Sequence, residues 1–161
     1  MVSSKLGKSV GWLSQVERGL SHPEAQDLST LAKLYSVPQS LFSPSQEVPG
    51  ETGRIVRAGH RRAIGERMPG LVEELLSPDL TDDFEVVHST FQSGSERRVA
   101  ANRPTQELAV MLSGKLDIWL GDDAFTVAAG DSFRIRDEGL CWANPYDQPA
   151  IAVWVIAPPV Y

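Results

Sequence analysis

Residues 107–120 read Glu-Leu-Ala-Val-Met-Leu-Ser-Gly-Lys-Leu-Asp-Ile-Trp-Leu. Two runs rich in Leu, Val, Ile and Trp flank Ser113-Gly114, a pattern that predicts strands over 107–112 and 115–120 joined by a tight hairpin. The same alternation of short apolar runs with Gly, Pro and Asp turns extends in both directions from there. It predicts further strands over 54–58, 71–76, 84–91, 124–127, 132–136 and 150–157, with a second hairpin at Gly121-Asp122-Asp123. Many short strands with no helical periodicity between them imply an antiparallel barrel or jelly roll.

Upstream of residue 44 the periodicity is helical. Ser9 is a good N-cap for a helix over the following residues, because its hydroxyl can accept a backbone N–H of the first turn, and Gly19 suits the left-handed position that ends helices. Leu13, Val16 and Leu20 recur at three and four residues and predict a core face. Val10, Gly11, Ser14 and Gln15 occupy the other face. Gln is suited to the N6 and N7 edge of adenine, and small or apolar neighbours leave room for a base edge. A second helical stripe, Leu28, Leu31, Ala32, Leu34 and Tyr35, follows Pro23, which suits a first helical position. Residues 39–42 read as a short final helix carrying Leu41 and Phe42. Residues 44–53, Pro-Ser-Gln-Glu-Val-Pro-Gly-Glu-Thr-Gly, have little to bury and read as a linker. The predicted organisation is α+β: a small helical domain over 1–43, the linker, and an all-β domain over 54–161.

Composition narrows the function classes. A chain of 161 residues with 42% hydrophobic and 22% charged residues can bury a real core. Neither a membrane-spanning run nor a basic-then-apolar leader is evident, so the cytoplasm is expected. The lone Cys141 agrees with a reducing compartment. Lys5, Lys8, Arg18 and Lys33 against Glu17, Glu24 and Asp27 leave +1 on residues 1–46, and −7 on the rest of a chain whose total is −6. The acidic part is no nucleic-acid surface. A charge of +1 is small for DNA binding, in which phosphate neutralisation dominates affinity, and so favours a homodimer.

The segment Leu13-Ser-Gln-Val-Glu-Arg-Gly-Leu-Ser-His-Pro23, with the helix behind it, resembles the lambda-repressor-like, xenobiotic-response-element (XRE) family of helix-turn-helix regulators. The resemblance implies that the helix after Ser9 enters the major groove and contacts DNA through Val10, Gly11, Ser14 and Gln15. It also implies structural or phosphate-facing roles for Glu17 and Arg18. That family's module opens with a full helix and then a second one before the recognition helix. Only eight residues precede Ser9, so the helical domain is expected to be incomplete, with its first helix missing. Leu13, Val16, Leu31 and Leu34 would then lack part of their cover.

Gly94, Glu107, Gly114, Gly130-Asp131 and Asn144-Pro145 carry a resemblance, by spacing, to the cupin family over residues 54–161. Helix-turn-helix modules fused to a cupin are a recognised bacterial regulator architecture. Metal-binding cupins use two His residues ahead of the Glu and a third in the second motif. Here those positions fall on Ala100 and Asn102, and on Leu140 or Cys141, leaving Glu107 alone. His22, His60 and His88 lie at no ligand spacing, so neither a metal centre nor another cofactor is expected. The barrel interior is expected to hold a small-molecule effector among Asn102, Glu107, Met111, Phe133 and Cys141, with Ala109 and Ile135 beside them. A buried Glu107 needs a cationic or donor partner, an amine on the effector or an internal Arg, unless it sits hydrated at the mouth. Arg54, Arg57, Arg61, Arg62 and Arg67 read as a solvated edge strand, or as a hold on an anion. The resulting expectation is a non-enzymatic transcriptional regulator, whose sequence-specific binding to a DNA operator is controlled by the effector. The alternative is a metal-dependent cupin enzyme with vestigial N-terminal helices.

Overall fold

A computed structural model describes residues 2–35, 39–42, 50–64, 68–101 and 103–159. The chain divides into two compact units, Met1–Pro44 and Ser45–Tyr161.

In the first unit three helices are formed: α1 (Val2–Leu6), α2 (Val10–Glu17) and α3 (Ala25–Tyr35), followed by a 3-10 turn over Gln39–Phe42. α1 packs on α3. The start of α3 differs from the sequence expectation, because Pro23 lies ahead of the helix. Glu24 is the capping residue, its carbonyl accepting Leu28 N–H at 3.0 Å while its own N–H donates to Asp27 Oδ2 at 3.0 Å. That reciprocal arrangement satisfies helix-start donors with a carboxylate placed against the positive end of the helix dipole. Lys8 Nζ adds an ion pair to the same oxygen at 3.4 Å, tying the α1–α2 connection to α3.

The second unit is a two-sheet antiparallel jelly roll. Its strands are β1 (Arg62–Ala63), β2 (Leu71–Leu75), β3 (Glu85–Phe91), β4 (Glu96–Ala101), β5 (Gln106–Ser113), β6 (Lys115–Leu120), β7 (Asp123–Ala128), β8 (Ser132–Arg136), β9 (Leu140–Ala143) and β10 (Ala150–Ala157). One sheet runs β1-β2-β3-β10-β5-β8 and the other β4-β9-β6-β7. The inward faces follow the period of two. Val87, Ser89 and Phe91 on β3 and Ala150, Ala152, Trp154 and Ile156 on β10 are buried. Trp142 meets Phe91 edge-on at 4.7 Å, and Phe133 meets Trp154 edge-on at 5.5 Å.

Ser113-Gly114, expected as a hairpin, is a corner: β5 and β6 belong to different sheets. Gly114 has φ +74, and a Cβ there would lie 2.6 Å from the Pro149 carbonyl oxygen and 2.7 Å from Ala150 Cα. Only glycine lets the chain cross between sheets while pressed against the start of β10. The reverse crossing, at Gly130-Asp131 between β7 and β8, is bonded to it, with Ala129 N–H donating to the Gly114 carbonyl at 3.1 Å. Gly121-Asp122 does form a hairpin, with Leu120 facing Asp123. Asn144 is completely buried: its amide donates to the Phe91 and Gln148 carbonyls at 2.9 and 3.0 Å, and its side-chain oxygen accepts Tyr146 N–H at 3.1 Å. One side chain thereby knits the loop after β9 to the end of β3.

Residues 54–58, expected as a strand, form turn, coil and the start of a 3-10 turn over Ala58–His60. The edge strand comes later and is only Arg62–Ala63. Arg57 pairs with Glu51, and Arg61 with Glu74 at 3.3 Å, so part of the basic run is neutralised locally. Arg67 lies outside the described residues, as does most of the expected linker. No helix among the described residues is long and apolar enough to cross a membrane.

Candidate functional site

The first candidate surface is α2. Ser9 holds an extended backbone and its Oγ accepts Trp12 N–H at 3.0 Å, the N-cap its residue type predicts. At the other end Gly19 has φ +69, Leu20 N–H reaches the Gln15 carbonyl at 2.8 Å, and Gly19 N–H reaches that of Val16 at 2.9 Å. This double closure satisfies carbonyls that a helix end otherwise leaves unpaired. Between these fixed ends Val10, Gly11 and Gln15 are exposed and Ser14 is half-buried. Arg18 folds back, its Nε donating to the Ser14 carbonyl at 3.1 Å, and Lys8 lies over the Trp12 ring at 5.0 Å. The expected core face is only partly covered: Leu13 and Val16 are half-buried, and Leu20 is 71% exposed. Leu31, by contrast, is buried, and Leu34 is half-buried.

The second candidate is the interior of the barrel. Glu107, on β5, lines a cavity of about 50 Å³ together with Glu73, Ser89, Arg97, Arg103 and Glu138, against a wall that includes Ile135, Trp142 and Trp154. The Glu107 side chain is 12% exposed. Thr105 Oγ1 donates to its Oε1 at 2.8 Å, and Arg103 Nη1 stands 4.0 Å from the same oxygen. Glu107 therefore has an internal donor and an internal cation, the second of the two partners foreseen for it. Glu73 accepts from Ser89 Oγ at 3.2 Å.

The other expected pocket residues fall elsewhere. Met111 shares the inward face of β5 with Glu107 and Ala109 but is 1% exposed, within solid core, and does not line the cavity. The Phe133 ring is held by Trp154. Leu140 and Trp142 face the cavity, so alternation along β9 turns Cys141 outward, where its thiol donates to the Arg98 carbonyl at 3.3 Å. Asn102 lies outside the described residues. Sequence reading passed over Arg97, Arg103, Glu73 and Glu138. The available signal was the clustering of Arg97, Arg98 and Arg103 within ten residues ahead of Glu107.

A wider cleft of about 400 Å³ shares Leu71, Glu73, Arg97 and Arg103 with the inner cavity and adds Met68, Glu96, Arg98 and Val99. β4 shapes it. The step from Arg97 to Ala101 is matched on β9 by the shorter step from Trp142 to Leu140, so β4 carries a bulge there. Within that bulge Arg97 Nε donates to the Val99 carbonyl at 3.1 Å, and Val99 is thrust outward, 80% exposed. Bulges bend an edge strand and re-aim its side chains.

This site does not fit a divalent metal. Glu73 and Glu138 share the cavity with Glu107, but Arg97 and Arg103 stand among these carboxylates with their positive charge and no imidazole lines the cavity, so a metal cation would meet like charge. Among the described residues no group of three or more His, Cys, Asp or Glu side chains is placed to hold a metal ion.

No protein-family model and no curated protein matches the sequence. Solved structures do match. A RmlC-like cupin from Shewanella frigidimarina is 15% identical, covering 66% of this chain and 91% of its own, with a TM-score of 0.58. KdgF from Halomonas sp. is 14% identical, covering 68% and 96%, with a TM-score of 0.57. The cupin domain of an XRE-family transcriptional regulator from Enterobacter cloacae is 20% identical, covering 56% and 99%, with a TM-score of 0.50. The two-sheet antiparallel unit, with its glycine corners and its buried Asn144, thus has the cupin jelly-roll fold.

Proposed function

We propose that this chain is a cytoplasmic transcriptional regulator rather than an enzyme, in which α2 binds an operator and a small molecule in the barrel cleft controls that binding. The observation that carries the reading is the surface of α2. Val10, Gly11 and Gln15 stand in solvent on a helix whose two ends are fixed by Ser9 and Gly19. The caps hold the helix in place while its side stays free, and Gln beside small residues is chemistry for a base edge. An XRE-family regulator carries a domain of similar fold, which supports the pairing of the two units. The low positive charge of the front unit calls for two copies on one duplex, each reading half of a palindrome.

Selection from a randomised duplex pool with the whole chain, followed by fluorescence anisotropy on the enriched sequence, tests the proposal. Enrichment of a two-fold symmetric site, weakened by Gln15→Ala, supports it. A pool that remains random at moderate salt refutes it.

A further inference from the structure

We infer that the ligand of the barrel cleft is a small acid whose carboxylate or phosphate is gripped by Arg97 and Arg103. This rests on the cleft being the effector site. Its volume, about 400 Å³, lies in the range of small-molecule sites, whereas the inner cavity of about 50 Å³ holds little more than water.

The decisive feature is which charges already have partners. Glu96 is engaged by Arg98, whose Nε and Nη2 stand 2.8 and 2.7 Å from its Oε2. Glu107 has Thr105 and Arg103, and Glu73 has Ser89. The guanidiniums are different. Among the described residues Arg97 makes a single hydrogen bond, from Nε to the Val99 carbonyl, which leaves both terminal nitrogens of its fork without a protein acceptor. Among the described residues the Arg103 side chain makes only the 4.0 Å approach to Glu107, too long for a hydrogen bond. Two half-buried arginine forks border one cleft with most of their donors unmatched among the described residues, an arrangement that suits the planar oxygens of a carboxylate or the face of a phosphate. Met68 and Leu71 offer an apolar surface to the rest of such a ligand. An amine in the cleft would meet Arg97, Arg98 and Arg103, against Glu73 and Glu96 that are already engaged by Ser89 and Arg98, so the amine-bearing effector gives way to an acidic one.

Isothermal titration of the whole chain at constant ionic strength provides the test, with succinate and inorganic phosphate as acidic probes and putrescine as the cationic comparison. At least one acid is expected to bind, and the tighter of the two tells carboxylate from phosphate. Arg97→Gln should weaken that binding about tenfold or more, the equivalent of one charge-assisted hydrogen bond. Arg103→Lys keeps a counter-charge for Glu107 and hence the fold, yet loses the fork, and should also weaken it. Arg134→Gln, on the exposed face of β8, should change nothing. The inference is overturned if neither acid binds, if putrescine binds in their place, or if a folded Arg97→Gln/Arg103→Lys double variant binds as the parent does. An acid that binds as described without altering duplex affinity upholds the anion site and refutes its role as effector.

Discussion

The helical unit and the barrel are stabilised in opposite ways. In the front unit α2 has no fully buried residue and is fixed at its ends by the Ser9 cap and the Gly19 closure, while α3 buries Leu31, Ala32 and the Asp27 carboxylate that Glu24 and Lys8 engage. In the barrel the devices are internal, namely edge-on aromatics, the glycine corners and the buried Asn144. The difference teaches where each unit can afford chemistry. A helix held by its ends leaves its side in solvent, whereas a jelly roll held by its middle opens a cleft beside the β4 bulge.

The comparison breaks first, if it is to break, at Trp142. Trp142→Ala empties the contact with Phe91 and should cost the barrel about 3–5 kcal/mol, read from urea denaturation followed by β-sheet circular dichroism. Asn144→Ala comes next. It strands the Phe91 and Gln148 carbonyls and the Tyr146 N–H and should cost about 3 kcal/mol by the same measurement. If either loss is below about 1 kcal/mol, the barrel is not organised from within. Ser9→Ala removes only a cap and should cost the helical unit about 1 kcal/mol, leaving the barrel transition in place.

The smallest effect sharpens the same contrast at the barrel surface. The Thr81 backbone N–H, with the Thr81 hydroxyl beside it, holds the half-buried Asp79 carboxyl below the usual carboxylate value. Because the folded value is depressed, the contribution is present above the ordinary Asp value and is lost as pH falls through the lowered one. Carboxyl-carbon NMR titration should show Asp79 moving back toward the ordinary value in Thr81→Ala, with no change in the aromatic core signals.

How much of this was legible in the sequence depends on the reach of the interaction. β5, β6, β8 and β10 declare themselves because each is a run of apolar residues bounded by turn formers, and α2 because Ser9 and Gly19 act on their own neighbours. β4 and β9 escape. Glu96-Arg-Arg-Val-Ala-Ala101 has the composition of a solvated loop, and Leu140-Cys-Trp-Ala143 is too short to show a period. Strand alternation from Glu107 places Ala109 and Met111 inward correctly, yet it cannot say where the core closes and the cavity begins. The Ser113-Gly114 corner was unreadable as such, since a two-residue glycine turn looks alike whether the next strand pairs with the last or leaves its sheet. Arg97 reaches the cleft through a bulge whose register depends on β9, more than forty residues away along the chain, so the local clustering of arginines shows that cations are near Glu107 without showing which of them face the cleft.

The most direct test of the regulator reading is a competition between the duplex enriched by selection and a scrambled duplex of equal length, measured by anisotropy with the whole chain at physiological salt. The account predicts a preference of about a thousandfold for the enriched sequence, falling by about 1–3 kcal/mol in Gln15→Ala while the salt dependence stays unchanged. Equal affinity for both duplexes, or a preference that Gln15→Ala leaves untouched, would contradict it.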